Sequence, residues 1–309
     1  MKTISFFSEK GGVGKSSFTI LYASWLYDKL GLKVAVADFD DRIQAYRDSE
    51  INERNKLVKQ RLKDIQNNPN LGEIPPLDVN KAWPIYGPSN REISEIERIN
   101  RVVPYTAWFR KTFLDGFDRN GDPLKDYDVI LLDFPGTLKG GIFEQIYGMN
   151  LVSQVVVPVE KDQMTLTATI RLDQLLHNFR KDNYCFFLTK AQLGLSNLRT
   201  NYIKFAKRLT EEGFKMLPDM IIYSDRMTTL EKVDITRSTF YYPDYENNVA
   251  FKDLSDLGVE NLFIDVTREL QKKKDIPGTG RVDLSAIDDF KKKNDGKNFT
   301  GSAFPEYEL

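Results

Sequence analysis

Short apolar runs alternate with longer amphipathic segments along most of the chain. The runs predict strands at 3–7, 33–37, 83–86, 129–133, 155–158, 184–189 and 220–223. Helical spacing of apolar side chains predicts helices between them, at about 15–30, 43–66, 89–100, 105–117, 164–179, 198–212 and 259–273. Strands that alternate with helices indicate an α/β fold, with a doubly wound, mostly parallel sheet and helices on both faces.

The pattern changes after Lys273. From Lys274 to Leu309 apolar residues become sparse, and Gly, Pro, Lys and Asp become frequent, which is typical of a solvated segment. We therefore predict one domain over residues 1–273 and a polar, partly disordered tail over 274–309. The tail is expected to hold at most a short helix near 284–292.

Charge and cysteine content narrow the classes of function. The 309 residues include 44 Lys and Arg and 45 Asp and Glu, a formal net charge of -1, so any nucleic-acid surface must be a local patch. The one cysteine, Cys185, excludes an intramolecular disulfide and fits a reducing cytoplasmic compartment. It stands in an apolar run and is predicted to be unreactive. No apolar run reaches about 18 residues, so no membrane span is expected.

A glycine-rich loop between the first strand and the first helix carries the clearest chemistry. Its residues are Lys10, Gly11, Gly12, Val13, Gly14, Lys15, Ser16 and Ser17. Glycines let successive backbone N–H groups point inward at phosphate oxygens, and the helix N-terminus adds partial positive charge. Lys15 suits the β- and γ-phosphates, and the Ser16 hydroxyl suits Mg²⁺. The first Gly of the standard phosphate-loop pattern is replaced by Glu9, and Lys10 is an extra lysine inside the loop.

These residues resemble the deviant Walker A loop of the ParA/MinD ATPases, a class of P-loop NTPases in which the extra lysine marks the family. The resemblance covers roughly residues 1–273. It implies ATP and Mg²⁺ as cofactors, binding by residues 11–17, and a homodimer that encloses the nucleotides. It also implies that Lys10 reaches the ATP of the opposite subunit.

Three aspartates lie at the ends of the second and fourth predicted strands or just beyond them. Carboxylates at these strand ends face the crevice where such sheets bind ligands. By the resemblance, Asp40 positions the attacking water, Asp38 supports the Mg²⁺ shell and Asp133 holds Mg²⁺. After Asp40 the family's usual Pro-Gln is replaced by Asp41 and Arg42, and residues 134–136 stand where the family has its switch segment.

Later positions carry weaker matches. The resemblance places nucleobase contacts at Thr189 and Lys190, and at residues 223–225 after the next strand. In ParA proteins the region beyond carries basic residues that touch DNA phosphates, and here it holds Arg226, Lys232 and Arg237.

The resemblance favours a cytoplasmic ParA-type ATPase that positions or segregates the DNA of a plasmid or conjugative element. Slow hydrolysis, stimulation by an adaptor protein, non-specific DNA binding by the ATP dimer and association with the nucleoid are expected with it. The alternatives are a MinD-like membrane-positioning ATPase and a metabolic or assembly ATPase of the same fold. Residues 298–309 contain Gly, Pro and two glutamates, unlike an amphipathic membrane helix, so no membrane partner is expected.

Overall fold

A computed structural model describes residues 1–39, 63, 67, 85–86, 114–116, 123–136, 142–191, 196–222 and 259–294. The strands are β1 (Lys2–Phe6), β2 (Val34–Asp38), β3 (Ile85–Tyr86), β4 (Val129–Asp133), β5 (Gln154–Val159), β6 (Tyr184–Ala191) and β7 (Met216–Ile222). The helices are α1 (Lys15–Leu30), α2 (Ile142–Gly148), α3 (Gln163–Asn178), α4 (Ser196–Glu211), α5 (Val259–Gln271) and α6 (Ala286–Asn294), with a 3₁₀ turn at Leu124–Asp126. Residues 63 and 67 are helical.

The seven strands form one sheet in the order β3-β2-β4-β1-β5-β6-β7, and the neighbouring strands pair in parallel. Strand β1 lies in the middle, with Lys2 beside Val129 of β4 and Ile4 beside Gln154 of β5. Because parallel strands end at the same edge, the loops that follow β1, β2, β4, β5 and β6 meet there.

Helices cover both faces of the sheet, as the sequence predicts. Successive side chains of a strand point to opposite faces. The ring of Phe6 packs 5.8 Å from that of Phe18 on α1, whereas the neighbouring Phe7 stacks 3.8 Å from Phe143 on α2. The continuous apolar runs of β4 and β5 are buried along their whole length, as covering on both faces requires.

Part of the predicted tail packs on the domain. Residue Ile276 donates its N–H to the carbonyl of Met1 at 2.9 Å, and the side chains of Val282, Leu284 and Ile287 are buried. The ring of Phe290 lies 5.5 Å from that of Trp25 on α1. The short helix expected near 284–292 is α6, and the division at residue 273 stays a prediction.

Two elements differ from the sequence-based prediction. Helix α2 was not predicted, because its apolar residues are too few to show a period. Strand β7 begins four residues earlier than expected, since Pro218 and Asp219 break the apolar run that marks it. Proline is tolerated there because β7 ends the order of the described strands. The helices expected at 43–66 and 89–100 lie outside the described residues, except residue 63, which is helical, and so does most of 105–117.

Candidate functional site

The loop after β1 has the backbone that its glycines predict. Gly12 and Gly14 have φ values of 74° and 92°, a left-handed region that side chains disfavour. A Cβ on Gly14 would lie 3.2 Å from the ring of Phe18. A Cβ on Gly11 or Gly12 would meet nothing within 4 Å, so the backbone here faces open space. This geometry leaves the loop N–H groups accessible to an anion.

Helix α1 begins at the end of this loop. Phe18 donates its N–H to the Gly14 carbonyl at 2.8 Å, and the first turn contains no acidic residue. The N–H groups at the start of the helix and the helix dipole therefore favour a negative charge beside Lys15 and Ser16. Val13 is buried and anchors the loop to the core. The described loop fits the phosphate chain of a nucleotide.

Lys15 and Gly136 lie against each other. The Lys15 Nζ donates to the carbonyl of Lys10 at 3.1 Å. A Cβ on Gly136 would lie 3.3 Å from that Nζ and 3.1 Å from the carbonyl oxygens of Ser8 and Glu9. The segment that follows β4 thus packs so closely against the loop that little space remains for a side chain at position 136. The sequence marks this segment only by its place after Asp133, and the close approach of Gly136 was missed.

Two of the three predicted aspartates are neighbours in the sheet. Asp38 and Asp133 are register partners at the ends of β2 and β4, and the N–H of Phe39 donates to the Asp133 carbonyl at 2.9 Å. Asp133 is buried. Carboxylates and hydroxyls are the oxygen ligands that Mg²⁺ prefers, and the set of Asp38, Asp133 and Ser16 fits that preference. Asp40 lies outside the described residues.

The extra lysine of the loop is bound within its own chain. Lys10 Nζ donates to Glu160 Oε2 at 2.5 Å and to Asp162 Oδ2 at 2.6 Å. Both carboxylates belong to the turn between β5 and α3. No role was predicted for the residues of this turn, so these two partners of Lys10 were missed. Their sequence signal is two acidic residues directly after a buried strand.

Hydrogen bonding and burial shift the pKa values of Lys10 and Asp162 in opposite directions. Partial burial disfavours the Lys10 ammonium, but the hydrogen bonds that it donates to Asp162 and Glu160 outweigh the effect of burial, so the pKa of Lys10 is raised. For Asp162, burial likewise opposes the charge, and the hydrogen bonds from Lys10 and Thr165 lower its pKa below the ordinary range. Both groups are therefore charged at neutral pH.

Lys190 reaches the same loop from the end of β6. Its Nζ donates to the carbonyl of Gly12 at 2.5 Å and pairs with Glu160 Oε1 at 2.6 Å. Thr189, beside it, is buried. Thus the structure brings together residues 10–17, Asp38, Asp133, Thr189 and Lys190 at one edge of the sheet. Arg226, Lys232 and Arg237 lie outside the described residues, as do residues 223–225.

No helix among the described residues is long and apolar enough to cross a membrane. A search of curated protein sequences finds no match to the chain.

Comparisons with solved structures support the fold. A putative plasmid partition protein from Borrelia burgdorferi B31, bound to AMPPNP, superposes with a TM-score of 0.53 at 14% identity, over 85% of this chain and 98% of that one. A McdA variant from Cyanothece, in complex with ATP, gives 0.52 at 15% identity, over 89% and 98% of the two chains.

The family comparison covers the elements that build the site. A model of the AAA_31 family, described as an AAA domain, matches residues 1–185, which include the loop, β2, β4 and the Glu160 turn. This match covers more than half of the chain and shows that it belongs to the AAA_31 family, and its fold is that of the ParA/MinD-type P-loop ATPases.

Proposed function

We propose that the chain binds ATP with Mg²⁺ at residues 10–17 and hydrolyses it. The observation that carries this proposal is the loop itself, which joins two left-handed glycines to a helix N-terminus beside the ends of β2 and β4. The N–H groups of Gly11 to Ser16 bind phosphate oxygens, and Lys15 turns from the Lys10 carbonyl to the β- and γ-phosphates. Gly12 and Gly14 keep the backbone close enough for these contacts.

One serine and three aspartates are proposed to bind Mg²⁺ and to orient the attacking water. Ser16, Asp38 and Asp133 hold Mg²⁺, which when bound neutralises charge on the phosphates. Asp40 accepts a hydrogen bond from the attacking water and orients it. The pairing of β2 with β4 supports the metal-binding role of Asp38 and Asp133, because it places the two residues side by side.

We further propose that ATP drives dimerisation through Lys10. Its side chain is 24% exposed and is held by two carboxylates of the same subunit. In the dimer Lys10 exchanges these carboxylates for the phosphates of the partner's ATP. A cation at that place offsets the repulsion between two nucleotide sites that face each other.

The dimer is proposed to position DNA, with an adaptor protein that stimulates hydrolysis. The superposed Borrelia protein is described as a plasmid partition protein, which supports this role by fold alone. Arg226, Lys232 and Arg237 from two chains supply the phosphate contacts, together with the exposed Lys204, Lys207 and Arg208 of α4. Phosphate contacts position a protein without reading bases, so binding depends little on DNA sequence.

Three variants test the nucleotide site. Lys15→Ala should abolish ATP binding, and Asp40→Ala should keep binding but stop turnover. Lys10→Ala should bind ATP and remain a monomer in sedimentation. Lys161→Ala, an exposed lysine beside Glu160, serves as the control and should behave as wild type. An unchanged ATP-dependent dimer in Lys10→Ala would refute the role of that lysine.

DNA binding needs its own titration. With about six phosphate contacts in the dimer, affinity should fall roughly a thousandfold between about 50 and 200 mM salt. Arg226→Glu should weaken binding while ATP binding stays intact. Absence of DNA binding at low salt, with and without ATP, would favour a metabolic or protein-partner role.

A further inference from the structure

The side chain of Lys190 connects the phosphate loop to strand β6. Its Nζ hydrogen bond to the Gly12 carbonyl joins residues 178 positions apart in the sequence. Gly12 is one of the two left-handed glycines on which the shape of the loop depends. A cation that binds this carbonyl fixes the peptide plane between Gly12 and Val13. It thereby sets the direction of the N–H that follows.

The backbone at Lys190 is itself held in an uncommon state. Its φ of 55° is left-handed, which is rare for a residue with a long side chain. Tyr202 on α4 donates its hydroxyl to the Lys190 carbonyl at 3.2 Å, and the pairing of β6 with β7 shifts register between Leu188 and Ala191. Conformations of this kind persist when surrounding structure enforces them, and they are common at functional sites.

Glu160 pairs with the same ammonium group of Lys190 that binds the Gly12 carbonyl. Its carboxylate lies between two ammonium groups, with Oε2 on Lys10 and Oε1 on Lys190. The Glu160 side chain is only 14% exposed, so its charge needs a cation nearby. Lys190 is thus held by a carboxylate, by its own backbone and by the loop carbonyl that it contacts.

From these contacts we infer that Lys190 is a positioning residue of the phosphate loop. It holds the Gly12 carbonyl and acts on the phosphate side of the ligand, whereas the family resemblance places it among the nucleobase contacts. Glu160 orients its ammonium group. The inference deepens the proposed function and rests on it only for the effect on nucleotide affinity.

Amide hydrogen exchange of the nucleotide-free protein tests the loop directly. Lys190→Gln should accelerate exchange over residues 13–18 by about tenfold, since one charge-assisted hydrogen bond is lost. Lys190→Arg should restore the slow rate, and Lys292→Gln, at an exposed lysine of α6, is the matched control. Equal rates in wild type and Lys190→Gln would overturn the inference. This measurement needs no nucleotide, so its outcome is separate from whether the chain binds ATP.

Nucleotide titrations distinguish the phosphate side from the base. Lys190→Gln should weaken the binding of ATP and of GTP by the same factor, about tenfold. It should weaken the binding of inorganic tripolyphosphate by a similar factor. Lys190→Arg should recover most of the affinity for all three. A changed ratio of ATP to GTP affinity, with tripolyphosphate binding intact, would make Lys190 a base-reading residue and overturn the inference.

Discussion

Lys10 Nζ lies 2.6 Å from Asp162 Oδ2, and the same carboxylate begins helix α3. Its Oδ1 accepts the N–H of Thr165 at 3.0 Å, and its Oδ2 also accepts the Thr165 hydroxyl at 2.6 Å. One side chain therefore caps a helix and binds the extra lysine of the loop. Movement of Lys10 away from Asp162 leaves the cap in place, so the helix does not need to unfold when the lysine leaves.

We expect Asp162→Ala to lower the free energy of unfolding by about 1 kcal/mol or more, because the cap and the ion pair are both lost. Asp162→Asn should cost less, since Asn also caps helices and a partly exposed ion pair contributes little. Urea unfolding at neutral pH measures both. Equal losses in the two variants would contradict the capping role.

The contribution of the Lys10–Asp162 ion pair to stability depends on pH, because the pKa of Asp162 is lowered and the pKa of Lys10 is raised. The depressed pKa of Asp162 contributes stability above the ordinary value of 3.8, which is lost as pH falls through the lowered pKa. The raised pKa of Lys10 contributes stability below 10.5, lost as pH rises through the raised pKa. The advantage of wild type over Asp162→Asn should therefore be full between these limits and shrink on either side.

Gly136→Ala should displace the backbone of the phosphate loop, against which Gly136 packs. The added methyl would stand 3.1 Å from two loop carbonyls, and backbone oxygens must then shift by a few tenths of an ångström. Overpacking of this kind costs about 1 kcal/mol or more. We expect weaker ATP binding in calorimetry. Gly280→Ala, where a Cβ meets nothing within 4 Å, is the control. Unchanged ATP affinity in Gly136→Ala would separate this segment from the site.

Cys185 should resist thiol reagents in the folded protein. Burial raises the pKa of its thiol to about 12, although the Gln154 amide partly opposes the shift. Since the thiolate is the reactive form, labelling at pH 8 should be slow until the chain unfolds. The chain has one cysteine, so labelling reports unfolding directly. Rapid labelling under native conditions would contradict the buried position of β6.

Asp219→Asn should stabilise the protein as pH rises. Burial and the negative charge of Asp265 raise the pKa of the Asp219 carboxyl well above 3.8, so the folded chain retains a proton that the unfolded chain releases. Wild type then loses up to about 1.4 kcal/mol per pH unit above 3.8, until the raised pKa is passed. Thermal unfolding at pH 5 and pH 8 checks this. A variant that follows the pH profile of wild type would refute the assignment.

Ile287→Ala should show whether residues beyond 273 stabilise the domain. The side chain is fully buried, and truncation of a buried Ile costs about 3 kcal/mol. Ile170→Ala, on the exposed face of α3, should change stability by roughly 0.5 kcal/mol or less. If both variants unfold at the wild-type denaturant concentration, helix α6 does not contribute to the core.

The sequence predicts best where one physical rule dominates. Strands β4 and β5 are recognisable because burial on both faces requires continuous apolar runs, and the loop because its glycines are needed for backbone shape. The contacts of Lys10 with Glu160 and of Lys190 with Gly12 were not predictable, since they join residues at least 150 positions apart. Only the order of strands in the sheet brings them together. Gly136 was missed for the same reason.

Strand β1 lies at the centre of the sheet, yet both of its neighbours are synthesised much later. Its partners are Val129 to Leu131 on one side and Gln154 to Val156 on the other. At about 5–20 residues per second, β1 stays unpaired on both edges for on the order of ten seconds during synthesis. An apolar strand with free N–H and C=O groups is prone to aggregate. The phosphate loop that follows β1 therefore gains its neighbouring strands only after β4 and β5 have been made, and the unpaired strand is open to aggregation during that interval.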